Sequence, residues 1–220
     1  EIETMPEKHI TISLPPPRFD SDYSIEKALL NRRSVRRYSR NALTREELAQ
    51  LLWACQGISK AETWQLGARV VETNYRTAPS AGALYPLEEY ALVNRVEGIE
   101  QGLYHYLPGP GRDNHSIAQL QSAERSAELA NAALGQNFVT EAAANIVIGG
   151  VVQRIAVKYG HRARLYVVLE VGHAAQNLCL QALSLDIGVV PIGAFSDDEV
   201  RRIIGGEVEP FYILSVGKID

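Results

Sequence analysis

The sequence is poor in residue types on which several kinds of protein depend. Its 220 residues include two cysteines, one methionine and four phenylalanines. Two cysteines cannot supply a disulfide framework, and their positions, 55 and 179, do not give the closely spaced pair of a structural zinc site. Cys55 and Cys179 fall at apolar positions of helical patterns, so we expect both to be small buried hydrophobic residues. This expectation favours a reducing compartment, and with it a cytoplasmic location.

Long hydrophobic runs and familiar catalytic signatures are also missing. Runs such as 165–169 stop far short of the roughly 20 apolar residues of a membrane span, so none is expected. The sequence has no glycine-rich dinucleotide fingerprint, no phosphate loop ending in Gly-Lys-Ser/Thr and no nucleophile elbow. Because the numbering starts at a glutamate, a targeting segment removed from the N-terminus would leave no trace.

The composition that remains is that of a globular protein, with 46% hydrophobic and 22% charged residues. Helical and extended patterns intermix without a regular βαβ repeat, which predicts an α+β fold with a central mixed or antiparallel sheet flanked by helices. We expect one domain over residues 24–220, preceded by an extended arm over 1–23 that contains three consecutive prolines at 15–17.

The pattern also predicts individual elements. Ser24, Thr44 and Ser196 are expected to cap helices, the last two through capping boxes. An alanine-rich helix is expected over 118–134, and residues 57–75 are interpreted as irregular. A helix over 164–184 carries small and apolar residues on several faces, which favours a homodimer interface. Strands are expected over 90–94, 102–107, 145–152, 188–195 and 211–216.

Five arginines crowd into residues 32–40, in a chain whose formal net charge is −4. Guanidinium forks beside the hydroxyl of Ser34 suit the tetrahedral oxygens of one phosphate. A solvated basic face and a nucleic-acid patch are the alternatives. Nucleic-acid binders usually combine a basic balance with interleaved aromatic residues, and here only Tyr38 lies inside the cluster.

Two further segments suit a flat ligand. Residues 77–86, Thr-Ala-Pro-Ser-Ala-Gly-Ala-Leu-Tyr-Pro, combine small residues with a hydroxyl donor, although they also suit a tight turn. Residues 188–195 are apolar and bounded by glycine, although they also suit a buried strand. Glu170 and His173 have the spacing of di-iron ligands, but no further carboxylates accompany them. We therefore expect no metal, and interpret this pair as structural or interface groups.

In order and separation, these three segments resemble those of the FMN-dependent nitroreductase superfamily, closest to its azoline (thiazole/oxazole) dehydrogenase-like branch. The resemblance extends from about Ser24 to the C-terminus and implies an FMN site between two subunits. It implies phosphate and ribityl contacts from Arg32, Arg33, Ser34 and Arg36. It implies ring contacts from the partner subunit's segment that corresponds to Pro79, Ser80, Ala81, Gly82 and Leu84. It implies further contacts from Pro191, Ile192, Gly193 and Ala194, with a backbone N–H offered to the flavin N5, and from Lys218.

The chain departs from the family pattern at two positions. Gly193 stands where many members have glutamate, so any contact of that side chain is lost. Lys218 is not followed by the arginine that many members have. Lys158 and Tyr159 resemble a pair that handles protons in azoline dehydrogenases, and a base of this kind must take a proton from the azoline. A solvent-exposed lysine beside a packing tyrosine is the alternative interpretation.

The resemblance implies a homodimeric enzyme that reduces a nitro, quinone or similar small acceptor through FMN, with NAD(P)H as donor. An azoline dehydrogenase acting on a modified peptide is the enzymatic alternative, although the chain has no obvious space for a peptide-recognition region. A flavin-binding module without turnover is the alternative of another class.

Overall fold

The computed structural model describes residues 10–67, 69–205 and 208–220. Within these residues, seven strands form one sheet in the order β1-β6-β5-β4-β7-β9-β8, and every neighbouring pair is antiparallel. The strands are β1 Thr11–Ser13, β4 Leu87–Val93, β5 Gly102–Leu107, β6 Ser116–Gln121, β7 Ala144–Gly150, β8 Ile187–Ile192 and β9 Glu209–Lys218; β2 Ile58–Leu66 and β3 Arg69–Arg76 form a separate hairpin.

The helices are α1 Ile25–Asn31, α2 Arg45–Gln56, α3 Ser126–Ala132, α4 Phe138–Glu141, α5 Val152–Tyr159, α6 Ala163–Leu183 and α7 Asp197–Ile204. They cover both faces of the sheet. Successive side chains of each strand point to opposite sides, so each face contributes apolar side chains to its own core. In β7, Ile146 and Ile148 join a core with α2 and α6, whereas Val147 joins a second core with α3 and α7. The expected α+β architecture is confirmed, and the sheet is antiparallel rather than mixed.

Two helix starts test the capping interpretation. At α2, Glu47 N–H donates to Thr44 Oγ1 at 3.2 Å and Thr44 N–H donates to Glu47 Oε2 at 2.9 Å, which completes the expected capping box. At α7, Ser196 occupies the N-cap but its side chain makes no cap hydrogen bond. The Ser196 N–H instead donates to Ala132 O at 2.8 Å, so tertiary contact replaces the expected box.

Two segments differ from the sequence interpretation. Residues 57–75, expected to be irregular, lie almost entirely within the β2–β3 hairpin of residues 58–76. Its side chains are mostly exposed on both faces, including the paired residues Trp64 and Val71, so the segment lacks the apolar alternation that normally reveals a strand. The alanine-rich segment 118–134 begins in strand β6, because pairing with β5 and β1 overrides local helix propensity.

The expected extended arm of residues 1–23 is described only from residue 10. There, Thr11–Ser13 joins the sheet as an edge strand on β6. Both cysteines are buried free thiols, as expected. Within the part of the chain that is described, no helix is long and apolar enough to cross a membrane.

Candidate functional site

The arginine segment, residues 32–40, lies along the open edge of the sheet. Ser34 forms a parallel bridge with Val189 of β8, and the Val35 N–H donates to Val189 O at 3.0 Å. Further along, the Ser39 N–H donates to Lys218 O at 2.8 Å. The backbone of the segment is therefore fixed to β8 and β9, and the arginine side chains project from a rigid support.

Two glycines explain how the segment comes so close to the sheet. Gly188 and Gly217 are directly paired between β8 and β9. A Cβ on Gly188 would lie 2.7 Å from Val35 Cγ1, and a Cβ on Gly217 would lie 2.9 Å from the Tyr38 ring. Because any side chain at these positions would displace the segment, the glycine pair forms the groove in which it sits.

The basic groups along this edge are not equivalent. Arg33 Nη1 donates to the carbonyls of Leu30 at 3.0 Å and Arg32 at 2.7 Å, so Arg33 is engaged with the C-terminal end of α1. Lys218 Nζ forms an ion pair with Glu47.

Arg36 and Ser34 are exposed, and the Arg36 guanidinium lies 5.9 Å from the Phe138 ring centroid. Arg32 is half-buried at the C-cap of α1. Among the described residues, neither Arg32 nor Arg36 forms a salt bridge with a carboxylate. These two arginines and Ser34 are therefore among the donors of the segment that are free to bind an anion.

The segment 191–194 continues from the same strand. The ladder between β8 and β9 ends at the pair Ile192–Ile213, so it does not use the N–H groups of Gly193 and Ala194, both exposed. Pro191 is tolerated because β8 is an edge strand. A Cβ on Gly193 would meet only Tyr212 Cε2, at 3.6 Å, so the space around this position is open. The backbone here can approach a flat ligand.

The Ser80 loop, defined as residues 77–86, has a strained backbone. Ala83 and Tyr85 have φ values of 53° and 45°, in the left-handed region that residues other than glycine rarely adopt, whereas Gly82, with a φ of 63°, adopts it without strain. The Tyr85 N–H donates to Ser80 Oγ at 2.9 Å, which fixes the position of the serine oxygen. Pro79 is exposed and Ala81 half-buried, while Leu84 packs against the main core.

Neighbouring elements clamp this loop. Arg154 of α5 donates to Tyr85 O at 2.7 Å and forms an ion pair with Glu88. The Arg76 backbone N–H donates to Tyr85 Oη at 3.2 Å, and Asn177 Nδ2 donates to Thr77 O at 3.2 Å. Contacts of this kind can maintain strained dihedrals, which are concentrated at functional sites.

Lys158 and Tyr159 meet the Ser80 loop of the same chain. They lie at the end of helix α5, where Lys158 is exposed and Tyr159 packs against the main core, as the alternative interpretation expects. A Cβ on Gly82 would lie 2.7 Å from Lys158 Nζ and 2.6 Å from Tyr159 Oη. The two polar groups therefore converge on the one loop position that has no side chain.

Two buried carboxyl groups lie behind the loop. Glu89 and Glu170 are each 2% exposed, and none of their oxygens has a hydrogen-bond partner among the described residues. Burial raises the pKa of Glu170 to about 7, against the lowering effects of the Ser80 hydroxyl, Arg76 and Arg154. Burial likewise raises the pKa of Glu89, and the neighbouring Cys55 thiol and Arg76 oppose that rise.

Sequence reasoning missed Glu89 and Arg76 altogether. It considered Glu170 only together with His173, yet Glu170 is buried and His173 is exposed. The signal that could have found the cluster was the presence of charged residues within an apolar strand and an apolar helix, since unpaired charges are rarely fully buried.

The candidate residues thus form two groups. The arginine segment, Lys218 and residues 191–194 share the β8 edge, whereas the Ser80 loop precedes β4 and contacts Lys158 and Tyr159. Strands β7 and β9 separate β4 from β8, which places these strands about 14 Å apart at the usual strand spacing. The start of β4, just after the Ser80 loop, lies level with Glu209 at the start of β9, because Leu87 pairs with Gly150 and Gly150 with Glu209. The end of β8 lies towards the same start of β9, since Ile192 pairs with Ile213. The Ser80 loop and residues 191–194 therefore lie towards the same end of the sheet.

Comparison with known proteins defines the class. The model of the Nitroreductase family matches residues 29–218. A nitroreductase-family protein of Methanocaldococcus jannaschii is 40% identical over 197 residues, which cover 90% of this chain and 92% of the relative. The chain therefore belongs to the nitroreductase family. It is an oxidoreductase with the fold of that family, as the resemblance implied.

Solved structures agree on the fold. A nitroreductase-family structure from Anabaena variabilis has a TM-score of 0.77 and 28% identity, and covers 96% of this chain; the chain spans 42% of that protein. The NADPH:FMN oxidoreductase of Vibrio harveyi, complexed with NAD+, has a TM-score of 0.60 and 20% identity over 89% of this chain and 69% of its own. The E. coli microcin synthetase complex with a truncated pro-microcin has a TM-score of 0.64 and 20% identity, over 88% of this chain and 73% of its own.

Proposed function

We propose that this protein is an FMN-dependent homodimeric oxidoreductase that uses NAD(P)H to reduce a nitro, quinone or similar small acceptor. The observation that carries the proposal is the β8 edge. There, Ser34 bridges to Val189 of the strand that ends in the open backbone of Gly193 and Ala194, and Arg36 follows two residues later, without a carboxylate partner among the described residues.

The described residues fit such a cofactor. Its phosphate needs donors that are not already paired with carboxylates, and Arg32, Ser34 and Arg36 meet this condition. Its flat ring needs backbone without projecting side chains, which Gly193 and Ala194 offer at the end of β8. Lys218 can also contact the phosphate, with its charge then shared between the phosphate and Glu47.

Bound FMN would supply hydride transfer at its N5 atom, so the task of this chain is to bind, orient and exclude water. The arginine segment supplies anchorage, because each charge-assisted hydrogen bond contributes about 1.5–3 kcal/mol. Residues 191–194 would cover one face of the ring and present N–H groups to it. The Ser80 loop would limit access of water from the opposite side.

The dimer is part of the proposal because the two groups of candidate residues stand on strands about 14 Å apart within one chain. A partner's Ser80 loop can face the β8 edge where the chain's own loop does not. Two helices have apolar side chains that the single chain leaves exposed, and these would be covered in a dimer. They are Ile25, Leu29 and Leu30 of α1, and Leu165, Val168 and Leu169 of α6.

The first test is the absorbance spectrum of the purified protein, followed by anaerobic mixing with NADH and with NADPH. We expect a flavin spectrum that bleaches with at least one donor and recovers when a nitroarene or quinone is added. Bound flavin that no donor bleaches would favour a flavin-binding module without turnover. Absence of flavin, together with no uptake of added FMN, would overturn the proposal.

Oxidation of an azoline in a modified peptide is the second candidate function. It is favoured by the convergence of Lys158 Nζ and Tyr159 Oη on Gly82, since removal of a hydride from an azoline must be accompanied by removal of a proton. Replacement of Lys158 by alanine separates the two functions. If the reduction of nitroarenes or quinones continues unchanged, this lysine is not needed for turnover of small acceptors; an azoline substrate would then report its role directly.

A further inference from the structure

Helix α5 follows the Ser80 loop through three successive contacts. Just before the helix begins, the Val151 N–H donates to Pro86 O at 2.9 Å. Within the next turn, Arg154 Nη1 donates to Tyr85 O at 2.7 Å. At the C-terminal end of the helix, two polar side chains lie where a side chain of Gly82 would stand. The helix and the loop therefore run side by side in opposite directions.

The middle contact holds a strained residue. Tyr85 has a φ of 45°, a conformation that costs energy and persists only where the surroundings enforce it. Its N–H is held within the loop, by the hydrogen bond of 2.9 Å to Ser80 Oγ. Its carbonyl is held from outside the loop, by Arg154. Loss of Arg154 would therefore remove the contact through which α5 keeps this carbonyl in place.

Arg154 is itself held by Glu88 of β4. Its Nη1 donates to the loop, while its Nη2 forms an ion pair with Glu88 Oε1. The other carboxylate oxygen, Oε2, lies 2.8 Å from His105 Nε2 of β5, so the glutamate is fixed at both oxygens. Burial would raise the pKa of Glu88, but the hydrogen bonds of His105 and Arg154 hold it below its usual value, which keeps the carboxylate charged. Arginine suits this position because its planar fork reaches two acceptors at once, which the single nitrogen of lysine cannot do in the same geometry.

We propose that Arg154 is a positioning residue for the Ser80 loop, and that Glu88 acts on the loop through it. Together they tie the loop to α5 and to the sheet, which sets the position of the Tyr85 carbonyl and the approach of Gly82 to the end of α5. The inference rests on the proposed function, in which this loop lies against the flavin. It adds to that function two residues that act on the cofactor through the loop.

Arg125 provides a matched control. It too joins a carboxylate to a main-chain carbonyl of another element, since it forms an ion pair with Glu128 and donates to Ile203 O at 3.0 Å. It lies at the N-cap of α3, which packs into the core on the other face of the sheet. Arg125→Ala therefore removes the same kinds of bond without a contact to the Ser80 loop.

Hydrogen exchange needs no bound flavin and tests the contact itself. We expect the amides of residues 83–85 to exchange roughly ten-fold faster in Arg154→Ala, because a charge-assisted hydrogen bond is lost. Arg154→Lys should give an intermediate rate, and Arg125→Ala should leave these amides at the wild-type rate. The double variant Glu88→Gln/Arg154→Ala should exchange no faster than Arg154→Ala, since the glutamate acts through the arginine. Unchanged exchange in Arg154→Ala, equally fast exchange in Arg125→Ala, or additive effects in the double variant would overturn the proposal.

A second measurement tests whether the position of the loop matters to the site. Arg154→Ala should bind FMN several-fold more weakly and change the visible circular dichroism of the bound flavin, whereas Arg125→Ala should change neither. Wild-type affinity together with a wild-type spectrum in Arg154→Ala would overturn the role of this residue at the site. If the loop amides respond as expected but the wild type takes up no FMN, the proposed function has failed and the positioning of the loop has not.

Discussion

At the β8 edge, the arginine segment is fixed by backbone hydrogen bonds and by the glycine pair Gly188–Gly217, and its donors are exposed. In the Ser80 loop, the backbone is strained at Ala83 and Tyr85, and the buried carboxyl groups of Glu89 and Glu170 have no hydrogen-bond partner among the described residues. The first region has the construction of an anchor, which needs a fixed geometry. The second stores unfavourable energy in its strained backbone and in the buried carboxyl groups.

The largest effect should come from separating the two regions at the proposed dimer interface. Leu169→Arg places a charge on the exposed apolar face of α6, and burying an unpaired charge in an interface costs several kcal/mol. We expect sedimentation velocity to show a monomer that no longer retains flavin. Val157→Arg is the control, because Val157 is 96% exposed on another helix. A dimeric Leu169→Arg protein with normal flavin content would argue against this interface.

Glu170→Gln should change how stability depends on pH. The pKa of Glu170 is raised from 4.5 to about 7 in the folded protein, so the free energy of unfolding falls as pH rises through that window and is level above it. The fall amounts to roughly 3 kcal/mol at most. Glu170→Gln removes it, and the variant should gain stability relative to wild type only as pH rises.

Urea unfolding at several pH values measures this difference. Glu199→Gln, on the exposed surface of α7, should follow the wild-type curve. A Glu170→Gln difference that stays constant across pH would show that the buried carboxyl does not titrate in this window.

Gly217→Ala tests the anchor. The added methyl group would lie 2.9 Å from the Tyr38 ring, and overpacking of this kind costs about 1–3 kcal/mol. Tyr38 Oη also lies 2.9 Å from Val35 O and from Ser215 O, so its displacement would loosen the arginine segment. We expect lower stability in chemical unfolding and weaker flavin binding. Gly193→Ala meets only an ordinary contact and should keep wild-type stability.

The smallest effect concerns Lys218, whose charge is shared with Glu47. Pairs of this kind are worth about 1 kcal/mol or less, so Lys218→Ala should weaken flavin binding by roughly five-fold at most, less than Arg36→Ala. Glu47→Gln should strengthen it, because the lysine is released towards the phosphate. Fluorescence titration with FMN measures both. If Lys218→Ala did not weaken flavin binding and Glu47→Gln did not strengthen it, Lys218 would serve α2 and not the cofactor.

Much of the fold was predictable because its signals are local. The long helix around residues 164–184 and the capping box at Thr44 both depend on residues that are close together in sequence, and both are confirmed. The β2–β3 hairpin was missed because neither of its faces is buried, so it has no alternation to detect. Strand β6 was missed because the alanine-rich sequence that begins with it favours a helix, and its pairing with β5 and with the distant strand β1 overrides that propensity.

The same distinction applies to the candidate site. The arginine segment and the Ser80 loop could be named from the sequence, and the structure places the first against residues 188–189 and the second against Lys158 and Tyr159. The pairing of Gly188 with Gly217, and the burial of Glu170 near Ser80 and Arg76, depend on register and packing between distant elements. No local pattern encodes them.

The central claim is that the β8 edge of one subunit and the Ser80 loop of its partner form one flavin site. Mixed dimers test it directly, with Arg36→Ala in one differently tagged subunit and Gly82→Val in the other. Each homodimer should bind little flavin. The mixed dimer should recover about half of the wild-type flavin content, because one of its two sites then combines an intact edge with an intact loop. A mixed dimer as empty as the two homodimers would show that both regions must belong to the same subunit.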